Sequence, residues 1–246
     1  MIRCFLLLFF LCTNLFSVSN NTKRQFSIFD IIKYRKNVDD QILAVENYLH
    51  TNGNINIQDS NGNTLLMLAS YRGNYDLVSF ILYNDADINI TNNMGQSAIM
   101  FSASYPYILQ LFFNSIKNID EEDNNKKTLL MYASESGELL SVKLLLENNA
   151  NIHKRDINGK TTLMYAIESS NIDLVKYLIE EKKLDINEKD DYNQNGIFYV
   201  RNIAMARYLI DNNIDYTNKN LIGLKASEVL RYSGYTNVST YLRRIE

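Results

Sequence analysis

An isoleucine recurs in a polar bend at Ile55, Ile88, Ile119, Ile152, Ile186 and Ile214, with separations of 33, 31, 33, 34 and 28 residues. A period of about 33 residues means stacked copies of one small supersecondary unit. One such unit buries too little apolar surface to fold alone, so only stacking can supply a continuous core. In a chain built this way, function is expected on a surface that the stack assembles.

The unit is clearest where Thr64-Leu65-Leu66-Met67-Leu68-Ala69 aligns with Thr128-Leu129-Leu130-Met131-Tyr132-Ala133 and Thr161-Thr162-Leu163-Met164-Tyr165-Ala166. A fourth copy, Ser97-Ala98-Ile99-Met100-Phe101-Ser102-Ala103, opens on Ser and carries one more residue before its alanine. Each copy offers a hydroxyl to cap a helix N-terminus, followed by apolar residues at helical spacing. A second stripe follows in Leu77-Val78 with Ile81-Leu82, Val142 with Leu145-Leu146, and Leu174-Val175 with Leu178-Ile179. Such one-sided stripes require a partner surface, which the next unit supplies. The polar bends Asp59-Ser60-Asn61-Gly62, Asn92-Asn93-Met94-Gly95 and Asp156-Ile157-Asn158-Gly159 carry hairpin-turn residues that tolerate positive φ.

In this order Asp59, Gly62, Thr64, Leu66, Ala69, Gly73, Val78 and Leu82 resemble the ankyrin repeat, from Phe26 to Glu246. The resemblance implies an all-α ankyrin-repeat solenoid of about seven helix-turn-helix units joined by β-hairpin-like loops. The units fall near 26–58, 59–91, 92–122, 123–155, 156–189, 190–217 and 218–246. Leu65, Leu129 and Thr162 replace the family's Pro, and Met67, Met131 and Met164 replace its His. The distances from Ala103 to Phe112-Phe113 and from Val200 to Leu209-Ile210 are about three residues short, which places a deletion in the turn between helices. Pro106, the only proline, fits the first residue of a second helix. These two units are expected to be looser than their neighbours. The first unit keeps Val45 and Leu49 but lacks the opening signature, as an end unit does. A buried Leu146 or Leu178 cut back to Ala is expected to cost about 2–5 kcal/mol.

The N-terminal segment differs in kind. A short basic start at Arg3, an unbroken apolar run from Cys4 to Cys12 and the small residues Ser17-Val18-Ser19 read as a secretory signal peptide over 1–19, followed by a linker over 20–25. The run is broken by Thr13-Asn14 and is too short for a bilayer core of about 30 Å. A lipidated Cys12 would need a small residue before it, and Leu11 stands there. Cleavage would remove both cysteines, Cys4 and Cys12, and with Arg3 would take the formal net charge from −3 to −4. A thiol-free, mildly acidic body suits an exported protein, periplasmic or secreted, and argues against nucleic acid as partner. It is expected to be a monomer with no stable membrane span.

Catalytic and metal-binding readings find little support. His50 and His153 lie about three units apart and read as surface or bend residues. Asp120-Glu121-Glu122-Asp123 lacks the glycine and spacing of a calcium loop. No cofactor is expected. Tyr132, Tyr165 and Tyr177 fall on helical stripes and are expected to pack between units.

The resemblance implies that hairpin tips and first-helix ends line a concave face that holds another protein. On this chain those positions are Ser60, Asn61, Asn63, Tyr71 and Arg72, then Asn124, Asn125, Lys127, Glu135 and Ser136. The next unit adds Asn158, Lys160, Glu168 and Ser169, followed by Asp191, Tyr192 and Gln194. Tyr71 beside Arg72 is the expected anchor, since aromatic and guanidinium groups dominate interface energies. The resulting expectation is an exported, non-catalytic protein-binding module. Its alternatives are a dedicated inhibitor or immunity protein, or a groove-ligand-binding protein or enzyme using Glu135 and Glu168.

Overall fold

The computed structural model describes residues 27–245, so the leader and linker expected over 1–25 lie outside the described residues. Helices follow one another in pairs: α1 (Ile28–Tyr34) and α2 (Val38–His50), α3 (Leu65–Tyr71) and α4 (Tyr75–Tyr83), α5 (Ala98–Phe101) and α6 (Pro106–Phe112). Next come α7 (Leu129–Ser136) with α8 (Leu139–Glu147), and α9 (Thr162–Ser169) with α10 (Ile172–Lys176), which continues as a π turn over Tyr177–Glu181. A 3-10 turn (Gly196–Tyr199) precedes α11 (Ile203–Asp211), and α12 (Ala226–Tyr232) and α13 (Thr236–Arg243) close the stack. Among the described residues the only β pairing is an isolated bridge at the base of a hairpin, as at Gln58–Thr64 and Arg155–Thr161. The chain is the all-α solenoid of paired helices and hairpin loops that its repeats imply.

Local chemistry explains each unit. Thr64, Thr128 and Thr161 accept the backbone N–H of Met67, Met131 and Met164 at 3.2, 3.4 and 3.3 Å, which starts α3, α7 and α9. Among the described residues six hairpins are each folded by one Asp or Asn side-chain oxygen that accepts two backbone N–H groups. Asp59, for example, takes those of Asn61 and Asn63, both at 2.9 Å, and Asp123 takes those of Asn125 and Lys127. Successive hairpins are joined through the backbone: Asn93 N–H donates to the Asn61 carbonyl at 3.0 Å and Ile157 N–H to that of Asn125 at 2.8 Å. Gly62, at φ 78°, permits this approach, because a Cβ there would meet the Asn93 nitrogen at 2.9 Å.

Behind the hairpins the second-helix stripes bury Leu77, Val78 and Ile81, then Val142 and Leu145, then Leu174, Val175 and Leu178. Leu145, not Leu146, is the fully buried leucine of its helix; Leu146 packs only partly against the core. The core of the described residues has two clusters. One runs from Phe29 to Phe112 and the other from Ala103 to Leu242, and Ile99 of the third unit packs against both.

Three local expectations are corrected. The residues missing from the third and sixth units come from the first helix itself: α5 and the Gly196–Tyr199 turn each have 4 residues, where α7 and α9 have 8. A helix can lose its last turn without moving its N-cap, whereas a shorter interhelix turn would displace the buried stripe that follows. Ser97 does not cap α5; its Oγ is buried without a hydrogen-bond partner. The first unit does have an opening signal, a capping box in which Asp30 N–H donates to Ser27 Oγ at 3.2 Å and Ser27 N–H to Asp30 at 3.0 Å. Pro106 is the first residue of α6, as its missing N–H allows. No helix among the described residues is long and apolar enough to cross a membrane.

Candidate protein-binding face

The first helices and hairpins line one face, and in the fourth to sixth units that face is built from a repeated aspartate and tyrosine, with a lysine between them in the fourth and fifth and Gln194 in its place in the sixth. Tyr132, Tyr165 and Tyr199 each stand nine residues after a hairpin aspartate and donate their hydroxyls to it. Tyr132 reaches Asp123 at 2.7 Å, Tyr165 reaches Asp156 at 2.8 Å, and Tyr199 bonds Asp190. Burial, and then the adjacent carboxylate, push all three phenols well above the usual tyrosine range.

Lysines fill the spaces between the rings. Lys127 Nζ lies over Tyr132 at 4.1 Å and over Tyr165 at 4.5 Å, and Lys160 Nζ lies over Tyr165 at 4.1 Å and Tyr199 at 4.5 Å. Each lysine also holds a carboxylate of its own unit, Lys127 with Glu135 at 2.6 Å and Lys160 with Glu168. Arg201 closes the series on Glu168 and lies over the Tyr235 ring at 5.8 Å. Burial works to raise the pKa of Glu168, but Lys160 and Arg201 outweigh it and hold the carboxyl below its ordinary range. The result is a ladder of ring, cation and ring whose charges are paired.

The second and third units lack this arrangement. The tyrosine position is Leu68 and then Phe101, and the lysine position is Asn63 and then Gln96. The third-unit turn residue is the neutral Asn92, whose amide bonds Asn63 at 2.9 Å and Gln96 at 3.0 Å. A groove of about 290 Å³ opens here, lined by Tyr71, Gln96, Met100, Phe101, Tyr132 and Glu135 among others. A second hollow of about 220 Å³ lies on the other side of Met100, between Ile88, Phe112 and Leu129. The groove lies at the end of the shortened α5, lined there by Phe101, Ala103 and Ser104.

The structure places the sequence candidates differently from one another. Ser60, Asn61, Asn124, Asn125, Asn158, Asp191 and Tyr192 form the exposed line of hairpin tips. Several of them serve the stack: the Asn124 amide donates to the Asn93 carbonyl at 3.1 Å, and Tyr192 Oη to Asn158 at 3.2 Å. Lys127 and Lys160 are largely covered, with side chains 11% and 12% exposed. Ser136 and Ser169 donate to carbonyls of their own helices, those of Ala133 and Ala166. Gln194 closes its hairpin through its backbone, and Asn63 is half-buried beside Asn92.

The expected anchor pair is split. Tyr71 is 67% exposed, meets Phe101 edge-on at 6.3 Å and forms the groove's outer wall. Arg72 turns away to donate to the Lys33 carbonyl of α1 at 2.6 Å, where it ties the first unit to the second. Of the two carboxylates named for a groove site, Glu135 lines the groove and is paired with Lys127, and Glu168 is paired with Lys160 and Arg201. Sequence reasoning missed the aspartate–tyrosine bonds and the lysines between the rings. The signal was there in the identical spacing of Asp123, Lys127 and Tyr132 and of Asp156, Lys160 and Tyr165.

Two family models match the chain: one described as ankyrin repeats (3 copies) over residues 99–190 and one described as ankyrin repeats (many copies) over residues 49–101. Ankyrin repeats generally serve as non-catalytic scaffolds that bind other proteins. The chain belongs to the ankyrin-repeat family.

Proposed function

We propose that this protein is an exported binding module that holds one partner protein across the face formed by its hairpin tips and first helices, and catalyses nothing. The observation that carries the reading is the contrast within that face: a paired, covered ladder over the fourth to sixth units beside an open groove walled by Tyr71 and Phe101. A rigid frame with a few exposed aromatic side chains is what a hot-spot interface requires. The carboxylates of the face support the same conclusion. Glu168, held by two cations below its ordinary pKa, has neither the proton of a general acid nor the basicity of a good base. Export rests on the basic start, apolar run and small residues within 1–19.

Cross-linking from the source cells tests the interaction, with the wild type beside a Tyr71→Ala, Glu135→Ala variant. Arg72 is left intact because it supports the first unit. A partner held by the wild type and released by the folded variant is the expected result. Equal capture by both would move the interface to another surface. N-terminal sequencing of the mature protein tests export: a start near Asn20 supports it, and a chain beginning at Met1 overturns it.

A further inference from the structure

The ladder repeats one rule, in which a ring of one unit, a cation of that unit and a ring of the next lie in sequence. Lys127 occupies the space between Tyr132 and Tyr165, and Lys160 that between Tyr165 and Tyr199. Between Phe101 and Tyr132 the corresponding residue is Gln96. It donates its amide to the Tyr132 hydroxyl at 2.6 Å and brings no charge. At the two flanking ladder positions the ring is replaced by an aliphatic residue, Leu68 before Phe101 and Val229 after Tyr199. Between successive ladder positions, the Phe101–Tyr132 space is therefore the one with rings on both sides and no cation, and the groove opens there.

We propose that this space receives a lysine or arginine side chain from a partner polypeptide, completing the ladder from outside. The proposal rests on the protein-binding reading above and assigns its contact chemistry. Three observations favour a cation. Tyr165 already takes a lysine from each neighbouring space, at 4.5 and 4.1 Å, so the Lys127 beside Tyr132 does not bar a second cation from that ring. Glu135 lines the groove with a side chain 47% exposed and bonds one cation, whereas Glu168, 21% exposed, bonds two. Asp123 lies directly behind Tyr132 at 2.7 Å and adds negative potential. Tyr71, edge-on to Phe101, gives the stem of a long side chain an apolar wall to lie against.

The test uses the full-length protein and three capped tripeptides, Gly-Arg-Gly, Gly-Lys-Gly and Gly-Gln-Gly, followed through the aromatic NMR signals of Tyr71, Phe101 and Tyr132. Saturable shifts confined to these rings with the two cationic probes, and none with the glutamine probe, are expected. Gln96→Lys should abolish the shifts by filling the space from within, and Tyr71→Ala should weaken probe binding about tenfold. The proposal is overturned by equal response to the neutral probe, by retention of the shifts in Gln96→Lys, or by no saturable shift at about 20 mM probe. The two readings separate cleanly. A partner captured equally well by wild type and Gln96→Lys removes this proposal and leaves the binding reading standing. Probe binding without any captured partner does the reverse.

Discussion

The fourth to sixth units and the second and third share one frame and one hydrogen-bonding plan at their hairpins, yet their faces are unlike. In the C-terminal block, tyrosines, lysines and carboxylates satisfy one another, so the face is rigid and largely closed. In the N-terminal block, Leu68, Phe101, Asn63 and Gln96 stand at the same positions, carry no charge and leave a groove. The difference teaches that a repeat fold is set by the buried and turn positions, while a few surface positions decide whether a unit supports its neighbour or remains available to a partner.

The core offers the strongest way to break this division. Leu66→Ala in one cluster and Leu178→Ala in the other should each cost about 2–5 kcal/mol in urea unfolding. Native-state hydrogen exchange should show protection lost mainly within the block that carries the change. Loss spread evenly over the whole chain would mean that the two clusters act as one.

The ladder gives the next effect in size. Lys160→Met should destabilise by about 1.5–3 kcal/mol, because it removes a charged hydrogen bond from a carboxylate that is largely covered. Gln96→Ala, which removes only neutral bonds, should cost about 0.5–1.5 kcal/mol. Equal costs, read from paired urea titrations, would erase the contrast between the blocks.

The pH dependence sharpens it further. The raised phenols of Tyr132, Tyr165 and Tyr199 contribute stability that is full below their unfolded pKa of 10.0 and lost as pH rises above it. Glu168 contributes stability that is full above its unfolded value of 4.5 and lost as pH falls through its depressed folded pKa. Urea midpoints across pH should therefore fall at both ends, and Glu168→Gln should flatten chiefly the acid limb, with a smaller change in the alkaline one because its charge also helps to raise Tyr165 and Tyr199. Smallest of all is Tyr71→Ala. Its exposed ring should change stability by no more than about 0.5 kcal/mol, so any lost partner binding reports on contact and not on folding.

The repeat period, the capping threonines and the apolar stripes were enough to place the helices, because caps and periodicity are local signals carried by neighbouring residues. The same reasoning put the missing residues of the third unit in its turn, since counting from Ala103 to Phe112 cannot say which side of the turn gave way. It also joined Tyr71 to Arg72. Adjacent residues at a helix end point in different directions, and one faces the groove while the other faces α1.

From its residues alone the chain fixed its architecture, because each period, 28 to 34 residues long, repeats a local pattern that has only one way to bury its stripes. Stacking decided the character of the face. Lys127 meets Tyr165, and Arg201 meets Glu168, across 38 and 33 residues of sequence, and only the register of neighbouring units brings those charges and rings within reach. The same register left Gln96 between Phe101 and Tyr132 with an open space in front of it.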